Sequence, residues 1–152
     1  MTTEIWFYHL ERAGLEDVLP GLLEKTLERG WRAVVRASNP ERIAALDAHL
    51  WTYRDTAFLP HGGAGEGAAE QPVYLTCGEE RPNGARALFL VDRARLSPAE
   101  AVESDLARIV VVFDGRDEAA LAEARALWRE AQARGLEASY WQQAEKGWSK
   151  KA

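Results

Sequence analysis

The apolar positions change period several times along the chain, and each change marks an element. Residues 4–9, Glu-Ile-Trp-Phe-Tyr-His, are short, aromatic and β-rich, which predicts a first strand. Leu15, Val18, Leu19, Leu22, Leu23 and Leu27 then recur at helical spacing up to Gly30, a natural C-terminal stop. Pro20 interrupts that pattern, so the helix either kinks there or begins at Pro20 as its first residue. Residues 32–37 read as a second strand, closed by Ser38-Asn39-Pro40. Asn39 as N-cap with Pro40 at the first helical position starts a helix carrying Ile43, Leu46 and Leu50. A β-α-β-α opening is the signature of a parallel sheet covered by helices.

Residues 51–71 are the least regular stretch and read as a loop with a glycine-rich tip. Strands resume at residues 73–76 and 87–92, separated by a turn around Pro82-Asn83-Gly84, and residues 109–113 form another buried strand. Capping chemistry in Asp114-Gly115-Arg116-Asp117 opens a strong helix over residues 118–134, ended by Gly135. Residues 138–142 form a last strand, and residues 144–152 a polar, partly frayed tail. The expected architecture is a single domain over residues 1–152. It is a three-layer α/β/α sandwich around a largely parallel sheet, Rossmann-like in topology.

Composition narrows the function. A chain of 152 residues that is 47% hydrophobic supports one packed core. With 19 basic and 24 acidic residues, the formal net charge is −5, which argues against capture of nucleic acid by the overall field and leaves only local basic patches. Apolar runs are too short to cross a bilayer, and no leader-like pattern opens the chain, so the expected location is cytoplasmic, with no membrane partner. One cysteine, Cys77, excludes an internal disulfide and a multi-cysteine zinc site. Six Trp in a small acidic chain point to a surface that meets a partner.

Catalytic motifs are missing. The phosphate loop Gly-x-x-x-x-Gly-Lys-Ser/Thr is absent, and the relaxed Gly-x-Gly-x-x-Ala of Gly63–Ala68 follows Pro60-His61 rather than a strand, so it reads as loop. His9, His49 and His61 lack metal-ligand spacing, and no Gly-x-Ser-x-Gly surrounds a serine. No catalytic residue, cofactor or metal is expected. The alternative is a nucleotide- or small-metabolite-binding α/β enzyme whose ligand sits at the carboxyl ends of the strands.

Two surfaces look suited to partners instead. Trp51, Tyr53 and Phe58 cluster just outside a helix, where they either seal the sheet edge or form an aromatic hot spot. On the helix over residues 118–134, Ala120, Ala124, Leu127 and Ala131 fall on one buried stripe with Trp128 at its border. Beyond it come Leu121, Arg125 and Arg129, with Glu123 and Glu130 on the other side. Two guanidinium groups one turn apart beside an apolar notch suit a short acidic peptide ending in a hydrophobic residue. The tail from Tyr140 to Ala152 also mixes aromatics with lysines, a pattern found in single-strand binders, or it lays Trp148 against the body as a packed strand end.

Several segments together resemble a known family. Phe7-Tyr8-His9-Leu10, Glu28-Arg29-Gly30-Trp31-Arg32, Leu50-Trp51 followed by Phe58-Leu59-Pro60-His61, Asn83-Gly84-Ala85, Phe113-Asp114-Gly115 and Tyr140-Trp141-Gln142 resemble the chi subunit of bacterial DNA polymerase III, in the family's order. The resemblance implies a non-catalytic accessory subunit of the clamp loader, acting in DNA replication. It implies a psi-facing or loader-facing surface at Trp51, Phe58 and Pro60. It also implies a site for the acidic C-terminal tail of single-stranded DNA-binding protein at Arg125, Trp128 and Arg129, so that DNA is reached indirectly through that protein. A further family lysine falls at Leu121, which makes the site less basic unless Arg116 or Arg134 compensates.

Overall fold

The computed structural model describes residues 3–52, 61–62, 67–96, 106–145 and 147–152. Its elements, in chain order, are β1 (Glu4–Leu10), α1 (Leu15–Glu28), β2 (Ala33–Arg36), α2 (Pro40–Thr52), β3 (Val73–Thr76), β4 (Ala87–Leu90), β5 (Arg108–Asp114), α3 (Glu118–Ala133), β6 (Glu137–Gln143) and β7 (Trp148–Lys150). The seven strands form one sheet in the order β3-β2-β4-β5-β1-β6-β7, parallel throughout except for β7.

The direction of travel fixes the layers. From β1 the chain crosses through α1 to β2 and then through α2 to β3, always toward one edge; from β5 it crosses through α3 to β6, toward the other. Because such crossovers are right-handed, the two directions place their helices on opposite faces. The core divides accordingly. Tyr8, Leu10, Val35, Phe89 and Val110 pack under Leu19 and Leu23 of α1 and Leu46 and Leu50 of α2. Ile5, Phe7, Leu88, Ile109 and Val111 pack under Ala120, Ala124 and Ala131 of α3. The expected three-layer sandwich around a largely parallel sheet is what forms.

Local chemistry explains where elements begin and end. The Asn39 carboxamide accepts from the Arg42 backbone N–H at 2.9 Å, and the Asp117 carboxylate from those of Ala119 and Ala120 at 3.0 and 3.3 Å, so both read caps operate. Helix α1 starts at Leu15 and runs through Pro20 rather than beginning there. Proline leaves the Glu16 carbonyl without its intrahelical donor, and His49 of α2 supplies one, its Nε2 lying 2.6 Å from that oxygen.

Within residues 144–152, Trp148–Lys150 form strand β7, the packed strand end rather than a frayed tail. Gly147, at φ +73°, turns the chain so that β7 runs antiparallel to β6, and Trp148 meets Tyr8 edge to face at 4.8 Å. Cys77 is exposed and unbridged. No helix among the described residues is long and apolar enough to cross a membrane.

Candidate functional site

Helix α3 sits close to the sheet because its buried stripe is made of small residues, Ala120, Ala124 and Ala131. Leu127, expected on that stripe, is only half-buried, as is Trp128. The Trp128 ring stands edge-on to Phe7 at 5.4 Å and to Tyr140 at 5.9 Å, and Phe7 and Tyr140 lie nearly parallel at 6.4 Å. An aromatic tripod from α3, β1 and β6 therefore sets the position of Trp128, and each such contact adds about 0.5–1.5 kcal/mol to simple burial.

Arg125 and Arg129 are exposed on the same helix and form no ion pair among the described residues. The acids of α3 nearest to them are engaged elsewhere. Glu123 takes both nitrogens of the Arg93 fork at 3.0 and 2.5 Å, and Glu130 lies 3.4 Å from Arg134. Arg116 pairs with Asp114 at 2.9 Å. Neither Arg116 nor Arg134 is thus a free cation to replace the one missing at half-buried Leu121.

Beneath Arg125 lies a polar cluster that the sequence pattern did not single out. The Tyr140 hydroxyl and His9 Nδ1 are 2.6 Å apart, and His9 Nε2 faces the Glu11 carboxylate at 3.5 Å. The ring proton then belongs on Nε2, and Nδ1 accepts from Tyr140. Gln142 donates to Glu11, and the Gln143 carboxamide oxygen accepts from the backbone N–H groups of Glu11, Arg12 and Ala13 at 2.7–3.0 Å, tying the β1–α1 turn to β6. Burial, and then the Arg125 charge, push the His9 imidazole below its ordinary range, against the opposing pull of Glu11 and Asp114. Burial raises the Tyr140 phenol, with Arg125 pulling it back. Alternation along β1 and β6 was the available signal: Phe7 and His9 must share a face, and register puts Tyr140 beside Phe7.

Two expected outcomes test this cluster. A methyl group on Gly115 would fall 1.8 Å from His9 Nε2, while the imidazole is held by Tyr140. Gly115→Ala is therefore expected to cost about 1–3 kcal/mol, as other overpacking substitutions do; denaturant unfolding measures it, and unchanged stability would show the ring free to swing aside. The second concerns pH. A His held neutral in the fold binds its proton more readily when unfolded, so its contribution is complete above the ordinary value of 6.5 and is lost as pH falls through the lower folded value. Carboxylates held low, such as Glu16 beside Arg42, act only in the more acidic window below 4.5. Thermal unfolding is expected to show a loss beginning just below pH 6.5 that His9→Gln removes. An identical profile in the variant would contradict it.

The aromatic block is placed only at its ends. Trp51 lies in the last turn of α2, but its side chain, and all of Phe58 and Pro60, are outside the described residues. The chain returns at buried His61, whose Nε2 is 3.0 Å from the Asp47 carboxylate of α2, and at Gly62, which bonds to Val73 and Leu75 along the edge of β3. The described residues that flank the block are thus the end of α2 and the edge of β3.

The carboxyl ends of the strands carry a cavity of about 460 Å³, lined by Asn39, Arg42, Asp92, Arg116 and Asp117 among others. Its cations are already paired: Arg42 with Glu16 and Asp92 at 2.9 and 2.8 Å, and Arg116 with Asp114. A phosphate at the start of α1 would meet Glu16 and Asp17 in the first turn. Nothing in that arrangement favours a nucleotide. No group of three or more potential metal-ligating side chains occurs among the described residues.

An open, doubly wound α/β sheet, with a cationic and aromatic patch on one helix that is unpaired among the described residues, is the class of protein these features define. The chain belongs to the family of DNA polymerase III chi subunits: the family model described as "DNA polymerase III chi subunit, HolC" matches residues 1–139. It is similar to the probable DNA polymerase III subunit chi of Rickettsia prowazekii, 26% identical over 111 residues that span 70% of this chain and 67% of that protein. It is also similar to the DNA polymerase III subunit chi of Pseudomonas aeruginosa, 37% identical over 62 residues that span 41% of this chain and 43% of the relative.

Proposed function

We propose that the protein is a non-catalytic, cytoplasmic adaptor of the polymerase assembly, a single domain with two protein-binding surfaces. The α3 surface holds the acidic C-terminal tail of single-stranded DNA-binding protein: Arg125 and Arg129 take its carboxylates, and the apolar border at Trp128 and Leu121 takes its terminal side chain. The aromatic block with Trp51, Phe58 and Pro60 meets psi or another part of the clamp loader. The observation that carries this reading is the pair of exposed guanidinium groups one turn apart, unpaired among the described residues while Glu123 and Glu130 pair with Arg93 and Arg134. Arg forks reward carboxylate partners more than solvent does when an apolar wall stands beside them.

The two surfaces suit a tether. The β3 edge and β6 are five strand spacings apart, roughly 24 Å, and α2 and α3 lie on opposite faces. Both partners then fit at once. Amide NMR during titration with an acidic peptide ending in Asp-Ile-Pro-Phe tests the assignment. The Trp128 indole and the backbone of α3 are expected to shift while β3 stays still; shifts confined to the strand ends or to β3 would overturn it.

A further inference from the structure

The face opposite α3 carries a second aromatic concentration that the adaptor reading does not use. Trp6, Trp31, Trp141 and Trp148, four of the chain's six Trp, lie half-buried against the core on the α1 side. Between α1 and the sheet they leave a pocket of about 250 Å³, walled by Trp6, Tyr8, Trp141 and Trp148, with Lys25, Arg29 and Arg108 around it. Arg108 stacks 3.8 Å from the Trp6 ring centre and pairs with Glu4 at 3.1 Å, so its charge is met. Lys25 in the last turn of α1 and Arg29 at its C-cap have no ion pair among the described residues, and the Arg29 guanidinium lies 5.4 Å from the centre of the Trp31 ring. Beyond Trp141, the β7 edge presents Lys150, its Nζ 5.9 Å over the Trp141 ring.

This gathering of cations runs against a chain whose net charge is −5, so it is a local feature and not a sample of the whole surface. Trp6, Tyr8, Phe89, Trp141 and Trp148 give the wall a large π-surface, which rewards a flat ring more than an aliphatic side chain. Charge stands on both flanks of the pocket rather than at its floor, so a matching ligand carries its anions outside the ring, before and after it. A nucleotide within a chain has that form.

We propose that this pocket takes one base of a single-stranded nucleic acid, with the neighbouring phosphates on Lys25 and Arg29 to one side and on Lys150 to the other. The contact is direct, it lies across the sheet from Arg125 and Arg129, and it leaves the α3 surface free. It stands on observations separate from those that carry the tail site.

Tryptophan fluorescence during titration with a short oligothymidylate, at low and moderate salt, reads the contact. Quenching that weakens with salt is expected, and Trp148→Ala is expected to weaken binding roughly five- to hundredfold, the range for losing one base–aromatic stack. Because that side chain also packs on Tyr8, the double charge reversal Lys25→Glu, Arg29→Glu on exposed or half-exposed helix positions serves as the second variant. It is expected to cost about tenfold or more at low salt, with the fold intact by circular dichroism. Absence of quenching in the parent, equal binding by the charge-reversed protein, or equal affinity for thymidine monophosphate would overturn the proposal. So would loss of the acidic peptide, rather than the oligonucleotide, in the charge-reversed protein. In the parent protein, peptide binding without oligonucleotide binding removes this inference alone; oligonucleotide binding without peptide binding removes the tail site alone.

Discussion

Phe7→Ala is expected to cost roughly 3–5 kcal/mol of stability, the range for deleting a buried aromatic ring. Phe7 is fully buried at the centre of β1, in register with Val111 on one side and Tyr140 on the other. Its ring also supports the edge of Trp128 and lies parallel to Tyr140, so the void opens directly under the candidate site. A domain of this size is stable by about 5–15 kcal/mol in all, so the loss is a large fraction of it. Urea unfolding is expected to show a lower midpoint with an unchanged slope. The fraction that remains folded is expected to bind the acidic tail more weakly, because Trp128 has lost its backing. A stability change under about 1 kcal/mol would mean that α3 settles into the void, and that Trp128 is not held in the way described.

The second large effect is on binding. Arg125→Ala and Arg129→Ala are each expected to weaken capture of the tail by about 1–3 kcal/mol, as for hydrogen bonds to charged groups. The double variant is expected to lose less than the sum if both forks share one carboxylate. No other α3 side chain is placed to restore the loss, since Arg134 is paired with Glu130 and position 121 is Leu. Arg129→Lys retains charge but not the planar fork, and is expected to fall between the parent and Arg129→Ala. Arg125→Ala carries a second signature, because its charge helps hold His9 neutral: the imidazole is expected to titrate at higher pH in that variant. Tail affinity unchanged in both single variants would contradict the assignment.

Much of this fold could be read from periodicity. The strands around Ile5, Val34, Val73, Leu88 and Ile109 and the helices under Leu19, Leu46 and Ala124 all lie where apolar spacing puts them. The chain runs through Pro20 for a reason no one-dimensional pattern holds: the donor that replaces its missing N–H comes from His49, on another helix. For β7 the sequence leaves a frayed tail and a packed strand end both open, and the left-handed Gly147 with the contact of Trp148 on Tyr8 decides for the strand. At the candidate site, the helical wheel isolated Arg125, Trp128 and Arg129, because that face depends only on the 3.6-residue repeat. The His9–Tyr140 pair beneath it depends on β1 and β6 being neighbours, and they are separated in the sequence by almost the whole chain. Likewise the aromatic pocket on the α1 face unites Trp6, Trp141 and Trp148 only through sheet order.

The central claim is that α3 captures an acidic tail through the exposed guanidinium groups of Arg125 and Arg129. Calorimetric titration of the protein with the peptide ending in Asp-Ile-Pro-Phe, as free acid and as amide and at two salt concentrations, tests it most directly. Binding that weakens with salt, needs the terminal carboxylate and is lost in the Arg125→Ala, Arg129→Ala double variant is the predicted result. No binding to correctly folded protein at low salt, or equal binding by the double variant, would contradict it.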